Sequence, residues 1–423
     1  MISKSSPPRE AYVWIWLPGA VEPVVAGRLE ADGANYVFNY GRSYLARADA
    51  IPIYLPELPL RPGAIAPTPP LEIANCLRDA APDAWGRRVI INRMTGLRGA
   101  SANDVELDEL TFLLQSGSDR VGALDFQTSP TDYTARETAT ATLDDLQESA
   151  SLVEQGAPLA PPLADALQHG TAIGGARPKA LIDAGDKKYV AKFSSSTDTF
   201  NMVKGEYIAM RLAALAGLTV APVKLTEALG KDVLLVERFD RIKRKRGWER
   251  RAMVSALTLF GLHEMMAAHA SYQDLAEAIR ARFTSPKETL RELFARMSFN
   301  ILVGNTDDHA RNHAAFWDGE SLSLTPAYDI CPQSRVGREA SQAMFIHDRE
   351  RSSRLAACVT AAPHFLIAEV AALEIIKAQV NCIKQNWDAV CQEASLSATD
   401  QSFFWGRQIL NDFAFEGLSQ NVL

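Results

Sequence analysis

The sequence lacks the features that mark secreted proteins, membrane proteins and proteins with structural zinc sites. Its five cysteines are odd in number, and none forms a C-x-x-C pair, so neither a disulfide framework nor a zinc-site spacing is present. There is no apolar run of about 18 residues, the length of a membrane-spanning helix. The first eight residues, MISKSSPP, contain no apolar signal core. These absences predict a reduced, cytoplasmic chain.

Positive charge is also in short supply. Lys and Arg number 44 against 51 Asp and Glu, and the net charge of -7 argues against a protein that coats nucleic acid by bulk electrostatics. The run at 243–246 is a local basic cluster, for which a solvated loop is the simpler interpretation. A length of 423 residues with 47% hydrophobic residues predicts two or three folded units.

Turn signals and periodicity divide the chain into four parts. Residues 1–127 begin with short alternating runs at 12–17, 24–29 and 36–40, turn helical over 71–114 with a break at Pro82, and return to a strand near 120–126. This is an N-terminal α+β subdomain. Residues 128–165, rich in Thr, Ser, Ala and Pro, form a linker with one helix over 144–155.

The third and fourth parts differ in their periodicity. Residues 166–241 predict strands at 179–183 and 189–193, a helix over 202–216 ended by Gly217, and strands at 221–225 and 233–238. Residues 242–423 are mostly helical, and the predicted helices span 253–270, 273–283, 286–303, 364–390 and 400–414. The fold class is therefore α+β, with a sheet–helix–sheet block followed by a helical lobe.

The third part supplies three of the groups that phosphoryl transfer from ATP requires. Gly174 and Gly175 open a strand, and glycine lets a backbone approach phosphate closely, although such a turn is more often a simple hairpin feature. Lys192 lies inside an apolar strand, where a lysine is costly unless it is paired. Glu206 on the next helix could form that pair, as in protein kinases, although alone it is an ordinary helical carboxylate.

The strongest signal lies in the fourth part. Asp307 and Asn312 are five residues apart, the separation of the catalytic aspartate and the metal-binding asparagine in protein kinases. Asp329 follows a predicted hairpin turned at 318–319, which would return it beside this loop. The spacing favours a base at Asp307 and Mg²⁺ ligands at Asn312 and Asp329 over a plain polar loop.

Two other chemistries fit parts of the same loop. His309 and His313 are four apart, as in a zinc-protease helix, but the glutamate that would serve as general base is missing. Asp307, Asp308 and Asp329 could serve a two-metal hydrolase. That alternative leaves Lys192 and the glycine turn without a role.

Several motifs together resemble the HipA family along nearly the whole chain. The similar segments are AIGGARPKAL at 172–181, YVAKF at 189–193, VERFDR at 236–241, NTDDHARN at 305–312, YDI at 328–330 and RVGA at 120–123. The resemblance implies a two-lobed, protein-kinase-like core of the lipid-kinase-related type, preceded by an N-terminal subdomain. It also implies a serine/threonine kinase toxin of a toxin–antitoxin system, associated with persistence.

The resemblance also assigns roles within an ATP and Mg²⁺ site. Gly174, Gly175, Ala176, Lys192, Glu206 and His309 would lie on the phosphate side, Glu237 and Phe239 would present backbone groups to adenine, and Asp240 would lie near the ribose. Asp307 would be the catalytic base, with Asn312 and Asp329 on Mg²⁺. The implied partners are a small helix-turn-helix antitoxin (HipB-like), operator DNA reached mainly through it, and a protein substrate such as an aminoacyl-tRNA synthetase.

One position departs from the family pattern. The family's autophosphorylated serine corresponds to Ala172 here, so self-inactivation at that serine is not expected. The neighbouring Thr171 could take its place or could equally be a plain strand residue. Two other functions remain open on the sequence: a kinase for a small molecule on a similar core, and a co-repressor that binds antitoxin and DNA with little kinase activity. The intact set of Lys192, Asp307, Asn312 and Asp329 weighs against the second.

Overall fold

A computed structural model describes most of the chain. The described residues are 7–96, 107–136, 141–155, 157, 167, 171, 173, 177–195, 198 and 200–418. Ala172, Gly174, Gly175 and Ala176 therefore lie outside the described residues. Within the described part, none of the helices combines the length and the apolar character that crossing a membrane would need.

The N-terminal part forms a five-stranded antiparallel sheet in the order β4-β3-β2-β1-β5. Its strands are β1 Glu10–Ile15, β2 Val24–Asp32, β3 Asn35–Tyr40, β4 Ala64–Ile65 and β5 Leu124–Gln127. Its helices are α1 Arg42–Leu45, α2 Asn75–Arg78, α3 Ala84–Thr95 and α4 Glu109–Gln115. The three predicted early strands are confirmed, the returning strand pairs with β1, and Pro82 separates α2 from α3 as predicted.

A second antiparallel sheet, in the order β6-β7-β9-β8, forms the smaller kinase-like lobe. Its elements, with the helix that precedes it, are α5 Leu143–Glu154, β6 Lys179–Asp183, β7 Lys188–Phe193, α6 Met202–Leu215, β8 Val223–Ala228 and β9 Lys231–Glu237. A capping box of Thr142 and Asp145 starts α5. Leu146 of α5 shares a buried core with Phe193 and Trp85, so the predicted linker helix covers one face of this sheet.

The rest of the chain is mostly helical and contains one further small sheet and a hairpin. Its elements are β10 Arg241–Arg244, β11 Gly247–Arg250, β12 Met253–Ser255, α7 Ala256–Phe260, α8 Tyr272–Arg282, α9 Pro286–Leu302, β13 Ala314–Trp317, β14 Leu322–Leu324, α10 Leu355–Ala361, α11 Glu369–Glu393 and α12 Ala398–Phe404. The helices predicted at 273–283 and 286–303 are confirmed, as is the β13–β14 hairpin. The helix predicted at 364–390 begins and ends a few residues later, as α11.

Two predicted helices are wrong. Instead of a helix over 253–270, β12 pairs with β13, α7 ends at Gly261 in a left-handed conformation (φ 63), and a 3-10 helix spans Glu264–His269. The predicted helix over 400–414 stops at Phe404, because a turn with Gly406 (φ 75) precedes a 3-10 helix at Asp412–Phe415. In both segments, turns and tertiary pairing override an apolar spacing that suits a helix.

Buried charges join the N-terminal part to the hinge segment, residues 236–241. Asp119 pairs with Arg238 at 3.0 Å and with Arg241 at 2.9 Å, and Asp240 pairs with both arginines at 2.8 Å. The Gly122 N–H donates to Asp240 Oδ2 at 2.8 Å. Burial favours the neutral acids, but the two arginines hold the pKa of Asp119 and of Asp240 below the ordinary range. Such a network is strongly disfavoured once one partner is lost, so it fixes the N-terminal part against the hinge.

Gly86 marks a close approach between α3 and the fully buried Thr171. A Cβ atom on Gly86 would lie 2.1 Å from the Thr171 carbonyl oxygen and 3.0 Å from Pro82 Cβ. Alanine is a better helix former than glycine by about 1 kcal/mol. Overpacking should nevertheless dominate here, so Gly86→Ala should lower the free energy of unfolding by about 1–3 kcal/mol, as measured by chemical denaturation.

Gly41→Ala is the matched control in the same sheet-and-helix unit. A Cβ atom there would meet its nearest neighbours at an ordinary 3.7 Å, and the φ of -66 suits alanine. We expect its free energy of unfolding to change by no more than about 0.5 kcal/mol. A Gly86→Ala protein as stable as the parent would contradict the packing described here.

Candidate active site

Strand alternation in β7 separates Lys192 from its apolar neighbours. Tyr189, Ala191 and Phe193 are buried, and Ala191 and Phe193 belong to the core that contains α5. Lys192 therefore lies on the opposite face of the sheet. Its side chain is only 14% exposed, so it needs partners of opposite charge.

Lys192 finds two such partners from different parts of the chain. Its Nζ lies 2.5 Å from Glu206 Oε1 on α6 and also contacts the Asp329 carboxylate, which lies 137 residues further along the chain. Glu206 is buried, whereas the Asp329 side chain is 42% exposed. The predicted lysine–glutamate pair is therefore present, and the aspartate after the hairpin returns to the same ammonium group.

The charges of this triad shift one another's pKa. Burial lowers the pKa of Lys192, but Asp329 and Glu206 outweigh it and raise that pKa above its usual value. Burial raises the pKa of Glu206, against the lowering effect of Lys192. Burial also favours neutral Asp329, yet the ammonium groups of Lys192 and Lys179 hold its pKa well below the ordinary range. Lys192 therefore stays protonated and Asp329 ionised near neutral pH.

Lys179 is a buried cation beside the site that the sequence analysis did not select. It lies opposite Lys192 in the β6–β7 pair and is 6% exposed. Burial first, and then repulsion by Lys192, lowers the pKa of Lys179 to about 8. The sequence does carry a signal for Lys179, because Gly185 and Asp186 lie between the two predicted strands and a tight hairpin there sets Lys179 across from Lys192.

The predicted catalytic loop, residues 305–313, follows α9 and turns at Gly304 (φ 68). The Asp307 side chain is exposed and accepts no hydrogen bond from the residues that the structure describes, whereas the Asp307 carbonyl accepts from His309 N at 2.9 Å and from Asn312 Nδ2 at 3.3 Å. Burial raises the pKa of Asp307, His309 lowers it, and Asp329 raises it further. Asp307 therefore lies within electrostatic range of both His309 and Asp329.

Asp308 makes hydrogen bonds in the protein interior and does not face the candidate active site. It is buried, and its Oδ2 accepts from the Tyr272 hydroxyl and from Asn300 Nδ2 at 2.7 Å, with His313 Nε2 at 3.0 Å. A two-metal arrangement of Asp307, Asp308 and Asp329 is not supported, because Asp308 is committed to these three groups. Its bonds instead tie the catalytic loop to α8 and α9.

The two histidines of this loop do not form a zinc-protease pair. Residues Ala310–Asn312 are a 3-10 helix, so His309 and His313 do not share a face one α-helical turn apart. His313 contacts Asp308, whereas His309 Nδ1 is buried without a hydrogen-bond partner among the described residues. Within those residues, no cluster of three or more His, Cys, Asp and Glu side chains is placed to hold a metal ion.

Asn312 and Asp329 offer the oxygen donors that suit Mg²⁺. A kinase site needs only one or two protein ligands, because phosphate and water oxygens complete the octahedron. Asp329 adopts a left-handed backbone (φ 60), uncommon for a residue other than glycine, and its carbonyl accepts from Asn305 Nδ2 at 3.5 Å. The donor chemistry fits Mg²⁺, and the backbone strain is of the kind found at functional sites.

The hinge segment positions the three residues predicted for the nucleoside. Glu237 pairs with Lys187 at 2.6 Å. The Phe239 ring lies 5.6 Å from the Tyr328 ring, centroid to centroid, next to Asp329 in sequence. Both oxygens of Asp240 accept hydrogen bonds from the buried arginine network, so a contact between Asp240 and a ribose stays a prediction.

Thr171 is not placed to receive a phosphoryl group in this conformation. It is fully buried, and its Oγ1 accepts a hydrogen bond from Gly117 N at 3.2 Å. The neighbouring Ala172 and the predicted phosphate-binding residues Gly174, Gly175 and Ala176 lie outside the described residues. Their roles stay predictions.

Sequence comparisons point to one family. The family model for the HipA-like C-terminal domain matches residues 171–387, and that for the HipA N-terminal domain matches residues 17–127. A putative kinase named Y4mE from Sinorhizobium fredii is 30% identical over 149 residues, which are 34% of each chain. The serine/threonine-protein kinase toxin HipA of Shewanella oneidensis is 27% identical over 146 residues, 31% of this chain and 34% of that one. The matches thus span about a third of these relatives.

The fold of a solved structure extends the likeness to nearly the whole chain. The HipA of Shewanella oneidensis, solved in a complex with HipB and operator DNA, superimposes with a TM-score of 0.66 at 18% identity, over 93% of both chains. The fold is therefore the expected two-lobed, kinase-like core with an N-terminal α+β part and a mostly helical C-terminal lobe. Because the C-terminal family model alone matches more than half of the sequence, the chain belongs to the HipA family.

Proposed function

We propose that the protein is an ATP- and Mg²⁺-dependent kinase that phosphorylates serine or threonine in another protein. The observation that carries this proposal is the meeting of Glu206 and Asp329 on Lys192. Protein kinases need both the lysine–glutamate pair and the metal-binding aspartate in place before they transfer phosphate. A two-metal hydrolase would leave Lys192 and its pairing without an assigned role.

The proposed roles follow from the charges. Lys192, held by Glu206, would bind the phosphates, and Mg²⁺ on Asn312 and Asp329 would neutralise the charge of the β- and γ-phosphates. Asp307 would accept the proton of the acceptor hydroxyl. The oxygen of that hydroxyl would then bond to the γ-phosphorus of ATP, while the bond between the γ-phosphorus and the bridging oxygen to the β-phosphate breaks and ADP is released. Gly174, Gly175, Ala176 and His309 would lie along the phosphates, and the backbone at Glu237 and Phe239 would meet adenine.

We further propose that the kinase is the toxin of a toxin–antitoxin pair. The support is family membership and the superimposed HipA, whose solved complex contains HipB and operator DNA. The partner would be a small helix-turn-helix antitoxin that contacts the operator, and the substrate a translation protein such as an aminoacyl-tRNA synthetase. The division into 1–127, 128–165, 166–241 and 242–423 is part of this proposal.

Removal of the proposed base tests the chemistry. Asp307→Asn should slow phosphate transfer by about 10²–10⁴-fold, because the amide cannot accept the proton. Stability should be unchanged, since the carboxylate is exposed and unbonded among the described residues. The assay incubates the chain with γ-labelled ATP and a cell lysate, then identifies the labelled protein and residue.

The exposed Asp348 provides the control, and Asp348→Asn should transfer phosphate normally. Label on a protein serine or threonine supports the proposal. Label found only on a small molecule would favour the small-molecule kinase. A parent protein that labels nothing yet binds the antitoxin would favour the co-repressor, and an Asp307→Asn protein with full activity would refute the assignment of the base.

Removal of the proposed phosphate ligand tests the nucleotide site. Lys192→Met keeps the apolar stem but leaves Glu206 and Asp329 without their cation, so the KM for ATP should rise about tenfold or more and kcat should fall. Lys224→Met on strand β8 of the same sheet is the matched control, because Lys224 is exposed. Steady-state kinetics at varied ATP would measure both, and equal KM values for the two variants would argue against the role of Lys192.

The environment of Asp307 predicts an acid limit to activity. Burial raises the pKa of Asp307, and Asp329 raises it further against the opposing effect of His309. Only the carboxylate form accepts a proton, so kcat/KM should be full above this raised pKa and fall as the pH drops through it. A profile of kcat/KM against pH locates this acid limb, the pH range over which the activity falls. A limb at or below about 3.9, the ordinary value for aspartate, would contradict the proposed environment.

A further inference from the structure

Asp83 occupies a helix start but does not cap the helix. It is the N-cap residue of α3, where an aspartate ordinarily accepts a backbone N–H from the first turn, yet it makes no such hydrogen bond. Its Oδ1 instead lies 2.6 Å from Arg311 Nη1, across 228 residues of sequence. Asp83 thus pairs with the catalytic loop instead of accepting the helix-capping hydrogen bond that its position favours.

Arg311 lies between the proposed functional residues His309 and Asn312. Its carbonyl oxygen accepts a hydrogen bond from the Tyr328 hydroxyl at 2.7 Å, and Tyr328 directly precedes Asp329. The backbone of Arg311 is therefore bonded to the segment after β14 that bears Asp329, while its side chain is bonded to Asp83 at the start of α3. A shift of Arg311 would move Asn312 and disturb Asp329 together.

A second carboxylate reinforces the contact. Glu264 Oε2 lies 3.4 Å from Arg311 Nη2 and 2.5 Å from Arg78 Nη2, which also belongs to the N-terminal part. Burial lowers the pKa of Arg311, but Asp83, Glu264 and Asp79 raise it overall. The Arg311 guanidinium is therefore charged near neutral pH and can pair with Asp83 and Glu264.

The same end of α3 also packs against the smaller lobe. The backbone of Gly86, three residues after Asp83, abuts the carbonyl oxygen of Thr171. Asp83 also acts electrostatically on Lys179, the first residue of β6. The start of α3 thus contacts the smaller lobe through Gly86 and the helical lobe through Asp83. From this place it can hold one lobe relative to the other.

We propose that Asp83 is a positioning residue for phosphate transfer: through Arg311 it holds the catalytic loop in register with Asp329. This inference rests on the proposed kinase function. It makes the N-terminal part a contributor to catalysis in addition to any role in partner binding. Among the described residues proposed to bind ATP, none forms a hydrogen bond or ion pair with Asp83, which pairs with Arg311, so its loss should affect the rate more than the nucleotide affinity.

Asp83→Asn tests the proposal with little change of shape. We expect kcat to fall about tenfold, because a small displacement of catalytic groups is costly, while the KM for ATP stays within about twofold. The pair is 26% exposed on each side, so the fold should persist. Asp83→Glu, which keeps the charge, should recover much of the rate. Asp49→Asn, at an exposed ion pair of the same N-terminal part, should match the parent.

A double-mutant cycle separates positioning from a general structural effect. If Asp83 acts through Arg311, the protein with both Asp83→Asn and Arg311→Gln should lose no more activity than the worse single variant. Losses that multiply, or an Asp83→Asn protein with the parent kcat, would overturn the proposal.

Hydrogen exchange provides a readout that needs no activity. Amides of residues 305–313 should exchange faster in Asp83→Asn than in Asp49→Asn, because the catalytic loop loses its tether. Identical exchange would also overturn the proposal. A parent protein that transfers no phosphate would refute the proposed function, while the exchange comparison would still decide whether Asp83 holds the loop.

Discussion

The architecture of the cleft depends on one buried ammonium group. Lys192 lies on a strand whose alternate residues are buried on the other face, and burial without a counter-charge would be unfavourable. The two carboxylates that stabilise it come from α6 and from the segment after β14. Satisfying one charge therefore fixes the sheet, its crossing helix and the larger lobe relative to each other. The same constraint leaves Asp329 ionised at the place where a divalent cation would be bound.

Local sequence patterns predicted the parts of this site that local rules control. The apolar run at 189–193 located the strand of Lys192, and the turn at 318–319 correctly predicted the hairpin that returns Asp329. The two wrong helices, at 253–270 and 400–414, show that local patterns do not predict strand pairing and turns that depend on tertiary contacts. Met253 lies in a strand because it pairs with Phe316 of a distant strand. The residues near Met253 contain no pattern that predicts this pairing.

Contacts between distant charges left no comparable signal. Arg238 and Arg241 are almost fully buried, although arginine is ordinarily exposed, and their partner Asp119 lies more than a hundred residues earlier. Asp83 and Arg311 are further apart still. Each residue alone fits an exposed loop or a helix cap, so its role appears only when the fold brings the opposite charge to it. A resemblance to a family supplied the order of the motifs but not these contacts.

The hinge segment shows how one short sequence serves the cleft and the N-terminal part together. Arg238 and Asp240 belong to the ion network with Asp119 and Gly122, whereas Phe239, between them, packs its ring beside Phe316 and Tyr328. These three consecutive side chains thus contact different neighbours where the chain turns after β9. A movement of the N-terminal part would pull on the hinge through the arginines and on the catalytic loop through Asp83. The N-terminal part is therefore attached to the kinase-like core at two separate places, the hinge segment and the loop at 305–313.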